Sequence, residues 1–136
     1  MYKEVATQIA WSMLGKPYIW GGNDMLAGFD CSGFIIEILK SVGKLPMDGD
    51  WTAHDLYMRF RDKTTSFGKE GCLVFWGRSL EHISHVEYCI NEDLSIGARA
   101  GGRKTKTLKD AIDQNAYIMI RPIRPRLPLV FVDPFK

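Results

Sequence analysis

Phe29-Asp30-Cys31-Ser32-Gly33-Phe34 joins a turn-rich run, residues 20–24, to an apolar stretch, residues 35–39. An aspartate before a cysteine, followed by Ser-Gly and then apolar residues at helical spacing, predicts a loop that delivers the thiol to the first turn of a helix. Free N–H groups and the positive end of the helix dipole favour a thiolate there, and the same N–H groups can hold an oxyanion. Cys31 is therefore a candidate nucleophile, although the commonest fate of a free cysteine is a small buried hydrophobe.

Length and composition indicate one globular domain. The 136 residues are 46% hydrophobic, which is enough to form a core, and the net charge of +2 does not by itself indicate a nucleic-acid partner. Basic residues gather late in the chain: Arg99, Arg103, Lys104, Lys106, Lys109, Arg121, Arg124 and Arg126. They form either a solvated face or a surface for an anionic polymer such as a cell wall.

Cysteine usage and hydropathy bear on the compartment. Cys31, Cys72 and Cys89 show no motif spacing, so we expect no disulfide framework, and a reducing compartment fits. No apolar run is long enough for a signal peptide or a membrane span. We expect a protein that is cytoplasmic as synthesised, so a substrate outside the cytoplasm would require delivery in a virion or export by another route.

The apolar periodicity predicts an α+β fold, with helices first and an antiparallel sheet second. The predicted helices cover residues 2–14, 31–42, about 53–60 and 108–112, and the predicted strands cover residues 72–76, 85–90, 94–98 and 117–120. Thr52 is the expected cap of the third helix, with Asp55 in the capping-box position, and residues 61–71 are expected to form a loop. We divide the chain into a domain at residues 1–122 and a Pro-rich C-terminal tail at residues 123–136, which packs on the domain or on a partner.

A nucleophilic cysteine needs a base, and histidine can accept a proton near neutral pH. The candidates are His54 on the surface of a helix, His82 in a loop and His85 at the start of a strand. A strand end that faces a helix N-terminus fits a Cys–His pair best, so we select His85; a half-buried structural imidazole is the alternative. A zinc site built from His82, His85, Cys72 and Cys89 is disfavoured because the cysteines stand singly within apolar strands, so we expect no metal.

Several segments together resemble the successive motifs of the NlpC family of papain-like cysteine peptidases: Pro17-Tyr18-Ile19-Trp20-Gly21-Gly22, Phe29-Asp30-Cys31-Ser32-Gly33-Phe34, Gly71-Cys72-Leu73-Val74-Phe75-Trp76 and His85-Val86. The resemblance covers roughly residues 5–122. It implies a minimal papain-like α+β fold, in which helices pack on a small antiparallel sheet and the nucleophile begins a helix. It also implies cofactor-free hydrolysis of bacterial peptidoglycan stem peptides through an acyl-enzyme, typically between γ-D-glutamate and a diamino acid.

The resemblance assigns site residues by position. Cys31 matches the nucleophile and His85 matches the base. Tyr18 matches a tyrosine beside the nucleophile, whose hydroxyl can support the oxyanion or the substrate. Asp30 and Ser32 match positions that contact substrate or cap the helix, and the sequence does not separate these two roles.

The chain departs from the family pattern after His85. The family usually has glycine two residues after the catalytic histidine and a polar residue, often histidine, about a dozen residues after it, which orients the imidazole; here these positions are Glu87 and Gly97. If residues 91–93 form the hairpin loop, Glu87 lies opposite Gly97 on the face of His85. Glu87 then either receives the His85 N–H and raises the imidazole pKa, or is a polar residue on a half-exposed strand; a weakened or absent activity is the third outcome. The family aspartate is also replaced at Cys72.

Two further functions stay open from the sequence. A small domain with a Pro-rich tail also suits a non-catalytic or assembly-activated wall-binding component, for example of a phage tail, that meets its partner through residues 123–136. An amidase or acyltransferase on the same scaffold is the other alternative, because fold does not fix reaction. Fast alkylation of Cys31 relative to Cys72 and Cys89 would distinguish an enzyme from a binding module.

Overall fold

The computed structural model describes residues 2–24, 28–99, 101–124 and 126–136. Within them the helices are α1 (Tyr2–Ser12), α2 (Cys31–Ser41), α3 (Ala53–Phe60), a 3-10 helix (Arg61–Lys63) and α4 (Leu108–Gln114). The strands are β1 (Asn23–Asp24), β2 (Gly28–Phe29), β3 (Thr64–Thr65), β4 (Leu73–Ser79), β5 (His82–Cys89), β6 (Leu94–Ala98), β7 (Ile118–Pro122) and β8 (Val130–Val132). None of the described helices is both long and apolar enough to cross a membrane.

The helices pack on an antiparallel sheet, so the predicted α+β class is confirmed. Its strand order is β3-β8-β4-β5-β6-β7, and β1 and β2 form a separate two-stranded ribbon that leads into α2. α2 packs against β5 and β6, and α3 packs against β5. Burial of the apolar face of α2 anchors the helix, at about 1.5–3 kcal/mol for each large side chain: Phe34, Ile35, Ile38 and Leu39 are fully buried.

Helix positions follow the predictions closely, and their ends differ for local reasons. The capping box of Thr52 and Asp55 is present at the start of α3, as predicted. α1 ends at Ser12 rather than at residue 14, because the chain turns through Gly15, whose N–H donates to Ile118 O on β7 at 2.9 Å. α4 continues to Gln114 rather than residue 112 and ends where Asn115 adopts the left-handed conformation.

The hairpin of β4 and β5 is longer than predicted. β4 extends to Ser79 through register shifts around Gly77, and β5 begins at His82. His82, expected in a loop, is therefore the first residue of a strand, and His85 lies inside β5 rather than at its start. The loop predicted for residues 61–71 also contains β3.

The C-terminal segment adds β8 to the sheet between β3 and β4. Leu73 of β4 pairs with Val132, and Thr64 of β3 pairs with the same residue from the other side. The expectation that this segment packs on the domain or on a partner is met by packing on the domain, although no strand was predicted there. The division of the chain at residue 122 stays a prediction.

Candidate active site

Asp30 fixes the start of α2. Asp30 Oδ1 accepts a hydrogen bond from the Gly33 N–H at 2.7 Å, and Oδ2 accepts one from the Gly21 N–H at 3.1 Å. Ser32 Oγ donates to Asp30 Oδ1 at 3.4 Å. This is the geometry of a helix cap, one of the two roles that the sequence left open for Asp30. It makes Cys31 the first residue of α2.

The loop before α2 lies directly against the helix start. Asp30 N–H donates to Gly22 O at 3.1 Å, and a Cβ at Gly33 would overlap the same carbonyl oxygen. Only a glycine at position 33 permits this approach of two backbones. The run that ends in Gly21-Gly22 and the Ser-Gly that follows Cys31 therefore act together to hold the thiol in place.

Tyr18 forms part of the wall beside Cys31. Its N–H donates to Ala116 O at 3.0 Å, and an isolated bridge pairs it with Phe29. Burial raises the pKa of the Tyr18 phenol, and the negative charges of Cys31 and Asp30 add to that rise. The hydroxyl therefore stays protonated near neutral pH and can donate a hydrogen bond.

His85 contacts both Cys31 and Glu87. Its Nε2 lies 2.5 Å from Glu87 Oε2, and the Cys31 side chain shares a cavity lining with the ring and is close enough to raise its pKa. The ring centroid is 5.5 Å from that of Trp76, the residue opposite on β4. Burial alone would lower the pKa of His85, but the hydrogen bonds and charges of Cys31 and Glu87 outweigh it and raise the pKa. The arrangement favours an imidazolium next to the sulfur.

Glu87 is fully buried on the face of the sheet that carries His85. The alternative of a polar residue on a half-exposed strand is therefore wrong. The pairing of Tyr88 with Ile96 sets the register that puts Glu87 opposite Gly97, as predicted, and a Cβ at Gly97 would lie 2.6 Å from Glu87 Cδ. The Glu87 side chain thus occupies the space that the glycine leaves open.

Three further side chains surround the Glu87 carboxylate. Ser95 Oγ donates to Oε1 at 2.6 Å, Arg99 Nη2 also donates to Oε1, and Arg126 Nη2 lies 3.5 Å from Oε2. Burial would raise the pKa of Glu87, but the hydrogen bond and charge of His85, followed by those of Arg99, lower it. Glu87 therefore stays ionised at neutral pH and can hold the His85 N–H.

Two cavities are lined in part by Cys31. One has a volume of about 380 Å³, and its lining includes Trp20, Asp30, Asp50 and Trp51. The other, of about 330 Å³, is lined by His85 and by the basic side chains of Arg99, Arg121 and Arg126. Tyr18, Trp20, Cys31 and Ser84 belong to both linings. The thiol is therefore accessible from both cavities.

A model of the NlpC/P60 family matches residues 15–122. This range includes Tyr18, Cys31, His85 and Glu87. The chain belongs to the NlpC/P60 family. It is similar to protein P54 of Enterococcus faecium (38% identical over 97 residues, 71% of this chain and 18% of P54). It is also similar to the probable peptidoglycan endopeptidase LytE of Bacillus subtilis (30% over 110 residues, 79% of this chain and 30% of LytE). The chain thus spans less than a third of the length of these curated relatives.

Solved structures share the NlpC/P60 fold. The peptidoglycan hydrolase RipB of Mycobacterium tuberculosis aligns with a TM-score of 0.73 at 22% identity, over 99% of this chain and 65% of that one. The P60 domain of antigen MAP1204 from M. avium subspecies paratuberculosis aligns with a TM-score of 0.74 at 20% identity, over 99% of this chain and 96% of that one. The predicted papain-like NlpC-type architecture is confirmed by these likenesses.

The candidate site brings together most of the residues selected from the sequence. Cys31, His85 and Glu87 form one contact chain, and Tyr18 and Asp30 lie beside it. Ser32 lines the first cavity while it supports the Asp30 cap.

The other histidines and cysteines lie apart. His54 Nδ1 accepts the Ile83 N–H at 3.4 Å, and His82 is exposed. Cys72 and Cys89 are buried in a separate apolar cluster with Val74. Among the residues that the structure describes, no three His, Cys, Asp or Glu side chains are grouped as metal ligands.

The sequence analysis missed the residues that surround Glu87. Ser95 and Arg99 follow the period of two that places them on the same face of the sheet as Gly97, so alternation along β6 could have identified them. Arg126 and Trp76 gave no such signal. Arg126 comes from the Pro-rich segment, 39 residues after Glu87. Its Cζ lies 4.4 Å from the centroid of the Trp76 ring.

Proposed function

We propose that this chain is a cysteine peptidase that hydrolyses peptide bonds in bacterial peptidoglycan stem peptides. The observation that carries the proposal is the contact chain at the cleft: Cys31 begins α2, its thiol meets His85, and Glu87 holds the far nitrogen of the imidazole. The substrate class is supported by relatives named as peptidoglycan endopeptidases, including LytE and the murein DD-endopeptidase MepH of Escherichia coli.

The first half of the reaction is acyl transfer to sulfur. The Cys31 thiolate attacks the scissile carbonyl carbon, and the oxygen of the tetrahedral intermediate carries the negative charge. The backbone N–H of Cys31, which as the first residue of α2 has no acceptor within the helix, and the protonated Tyr18 hydroxyl hold this oxygen. His85 gives its proton to the leaving nitrogen, the C–N bond breaks, and an amine departs from a thioester.

The second half is hydrolysis of the thioester. Water attacks the thioester carbonyl while His85, now neutral, accepts a proton from it. The C–S bond breaks, the acid product leaves, and the Cys31 thiolate faces a His85 imidazolium again. No cofactor enters this sequence of steps.

Glu87 is the positioning residue in this scheme. Its carboxylate accepts the Nε2–H, which leaves Nδ1 directed at sulfur, and it stabilises the imidazolium that the acyl-transfer step consumes. Ser95 and Arg99 keep the carboxylate in place, since each hydrogen-bonds to its other oxygen.

The proposal is tested by digestion of peptidoglycan from several wall types with the purified protein and with Cys31→Ala in parallel. Mass spectrometry of the soluble fraction should show new peptide termini only with the intact thiol, and the termini identify the bond that is cut. No product from any wall, with Cys31 quickly alkylated, would instead indicate another acyl substrate, as for an amidase or acyltransferase, or activation within an assembly. No product together with a slow Cys31 would support a wall-binding component.

A further inference from the structure

Three arginines converge on the cavity beside His85. Its lining includes Arg99, Arg121 and Arg126 together with Gly101 and Gly102, and its volume is about 330 Å³. The other cavity at Cys31 is lined by Asp30 and Asp50 instead. The two cavities that share Cys31 therefore differ in charge, with acidic side chains in one lining and basic side chains in the other.

The positive charge in this cavity exceeds the negative charge that contacts it. Arg99 and Arg126 share a single carboxylate, that of Glu87, and Arg126 approaches it only to 3.5 Å. Within the described parts of the chain, Arg121 takes part in no ion pair. Guanidinium groups keep their charge at any pH at which proteins fold. Three positive charges thus face one carboxylate that already accepts a hydrogen bond from the His85 N–H.

Arg99 also carries hydrogen-bond donors that nothing in the described chain satisfies. The residue is 3% exposed, and its Nε and Nη1 are buried without a partner among the described residues. A buried donor left without a partner is destabilising, and more so when the group is charged. Natural structures therefore rarely keep such donors unless water or a ligand satisfies them.

We propose that this cavity, the arginine subsite, binds a carboxylate of the substrate adjacent to the scissile bond. Arg121 and Arg126 offer paired N–H groups with the fork geometry that matches a carboxylate, and Arg99 supplies buried charge behind them. The inference rests on the proposed peptidase function and specifies its substrate: the peptide must carry a free, not amidated, carboxylate at that place.

Two carboxylates of a stem peptide have this chemistry. A γ-linked glutamate on the acyl side of the bond keeps its α-carboxylate free, and the diamino acid on the amine side has a free carboxylate when it is the last residue of the peptide. Each can be converted to a carboxamide in a synthetic peptide, which removes the charge and leaves the shape almost unchanged. The arms of the experiment therefore consist of the unmodified peptide and the two singly amidated peptides.

The test compares kcat/KM for the three peptides in the parent protein, in Arg121→Gln and in Arg78→Gln. Arg78 is an exposed residue of β4 that lines neither cavity, so it is the matched control for removal of one positive charge. We expect amidation of one carboxylate to lower kcat/KM about 10- to 100-fold in the parent protein, since a charged hydrogen bond contributes about 1.5–3 kcal/mol. Arg121→Gln should cause a similar loss with the unmodified peptide and little further loss with that amidated peptide.

Two results would overturn the inference. Equal kcat/KM for all three peptides in the parent protein would show that no carboxylate is recognised. A loss in Arg121→Gln that is the same for charged and amidated peptides, or that Arg78→Gln reproduces, would show a general effect of charge.

A binding arm separates failure of the subsite from failure of the peptidase proposal. Calorimetric titration of Cys31→Ala with the same peptides measures carboxylate recognition without turnover. Tighter binding of the unmodified peptide that is lost in Cys31→Ala/Arg121→Gln would support the subsite even if the parent protein cut nothing. Equal binding of all three peptides would reject the subsite even if the parent protein were an active peptidase.

Discussion

The Glu87 side chain occupies the space over Gly97, the residue opposite it on the neighbouring strand. A Cβ at Gly97 would lie 2.6 Å from Glu87 Cδ, and Glu87 Oε2 lies 2.5 Å from His85 Nε2. The carboxylate that contacts the imidazole therefore comes from β5, the strand of His85 itself, whereas the family resemblance places a polar residue on the next strand. Relative to the pattern that the resemblance implies, the glycine and the polar residue each stand on the other's strand.

Replacement of Glu87 by alanine should lower kcat about 100-fold or more, because the imidazole loses both its orientation and its charge partner. The pH profile should also change. The carboxylate raises the pKa of His85, and activity ends as pH rises through that pKa because the proton for the leaving nitrogen is lost. Glu87→Ala lowers this pKa, so the alkaline limb of kcat should move to lower pH. Steady-state kinetics from pH 5 to about pH 10, on protein checked by circular dichroism, measure both effects.

A matched control and a rescue variant make this prediction specific. Glu92→Ala removes an exposed carboxylate in the hairpin turn and should leave the profile unchanged. Glu87→Gly combined with Gly97→His returns the polar group to β6 and should recover part of the lost kcat. Full activity in Glu87→Ala, or an unmoved alkaline limb, would rule out a positioning role.

Glu87 should also matter for stability through Arg99. Glu87→Gln preserves shape but leaves the buried Arg99 guanidinium without its carboxylate, and loss of one partner of a buried ion pair typically costs about 3–5 kcal/mol. Urea denaturation should show a loss of that order. Glu87→Gln combined with Arg99→Met should be more stable than Glu87→Gln alone, because no uncompensated charge remains. A loss below about 1 kcal/mol in Glu87→Gln would contradict this account, since that is the range of exposed pairs.

Local signals explain what the sequence could predict. The helix starts at Cys31 and after Thr52 were predictable because a capping side chain and the backbone N–H that donates to it lie within three residues of each other. The pairing of Glu87 with Gly97 was predictable because the hairpin loop is short, and a short loop leaves one register that keeps the apolar face buried.

Contacts between distant parts of the chain explain what the sequence could not predict. β8 is three residues long and follows a Pro-rich stretch, so it gives no periodic signal, and only the edges offered by β3 and β4 make it a strand. Arg126 reaches Glu87 through the same segment. From the sequence alone, charged residues in such a stretch cannot be distinguished from residues on a solvent-exposed surface.

The cap of α2 links stability to the position of the nucleophile. Asp30→Ala removes the acceptor for the N–H groups of Gly33 and Gly21, which should lower the free energy of unfolding by about 1 kcal/mol. It should also lower kcat with little change in KM, because Cys31 is the next residue and loses its fixed place. Asp30→Asn keeps an oxygen acceptor, so chemical denaturation and kinetics should both return towards the parent values. Equal losses in the two variants would mean that the charge of Asp30 matters rather than its cap.

Alkylation of the three thiols should separate Cys31 from the others. Cys31 is partly exposed at the cleft beside His85, whereas Cys72 and Cys89 are fully buried and burial raises the pKa of each. With iodoacetamide near neutral pH, Cys31 should be labelled about 100-fold faster, because alkylation requires an accessible thiolate.

His85 should govern that difference in rate. His85→Ala removes the imidazolium partner and should slow labelling of Cys31, while labelling of Cys72 and Cys89 stays as slow as before. Timed quenching and peptide mass spectrometry give each rate, and the same measurement in denaturant should make the three rates converge. Similar rates in the native protein, or a Cys31 rate that is indifferent to His85→Ala, would show that the contact between thiol and imidazole does not activate the sulfur, and the hydrolytic mechanism would lose its first step.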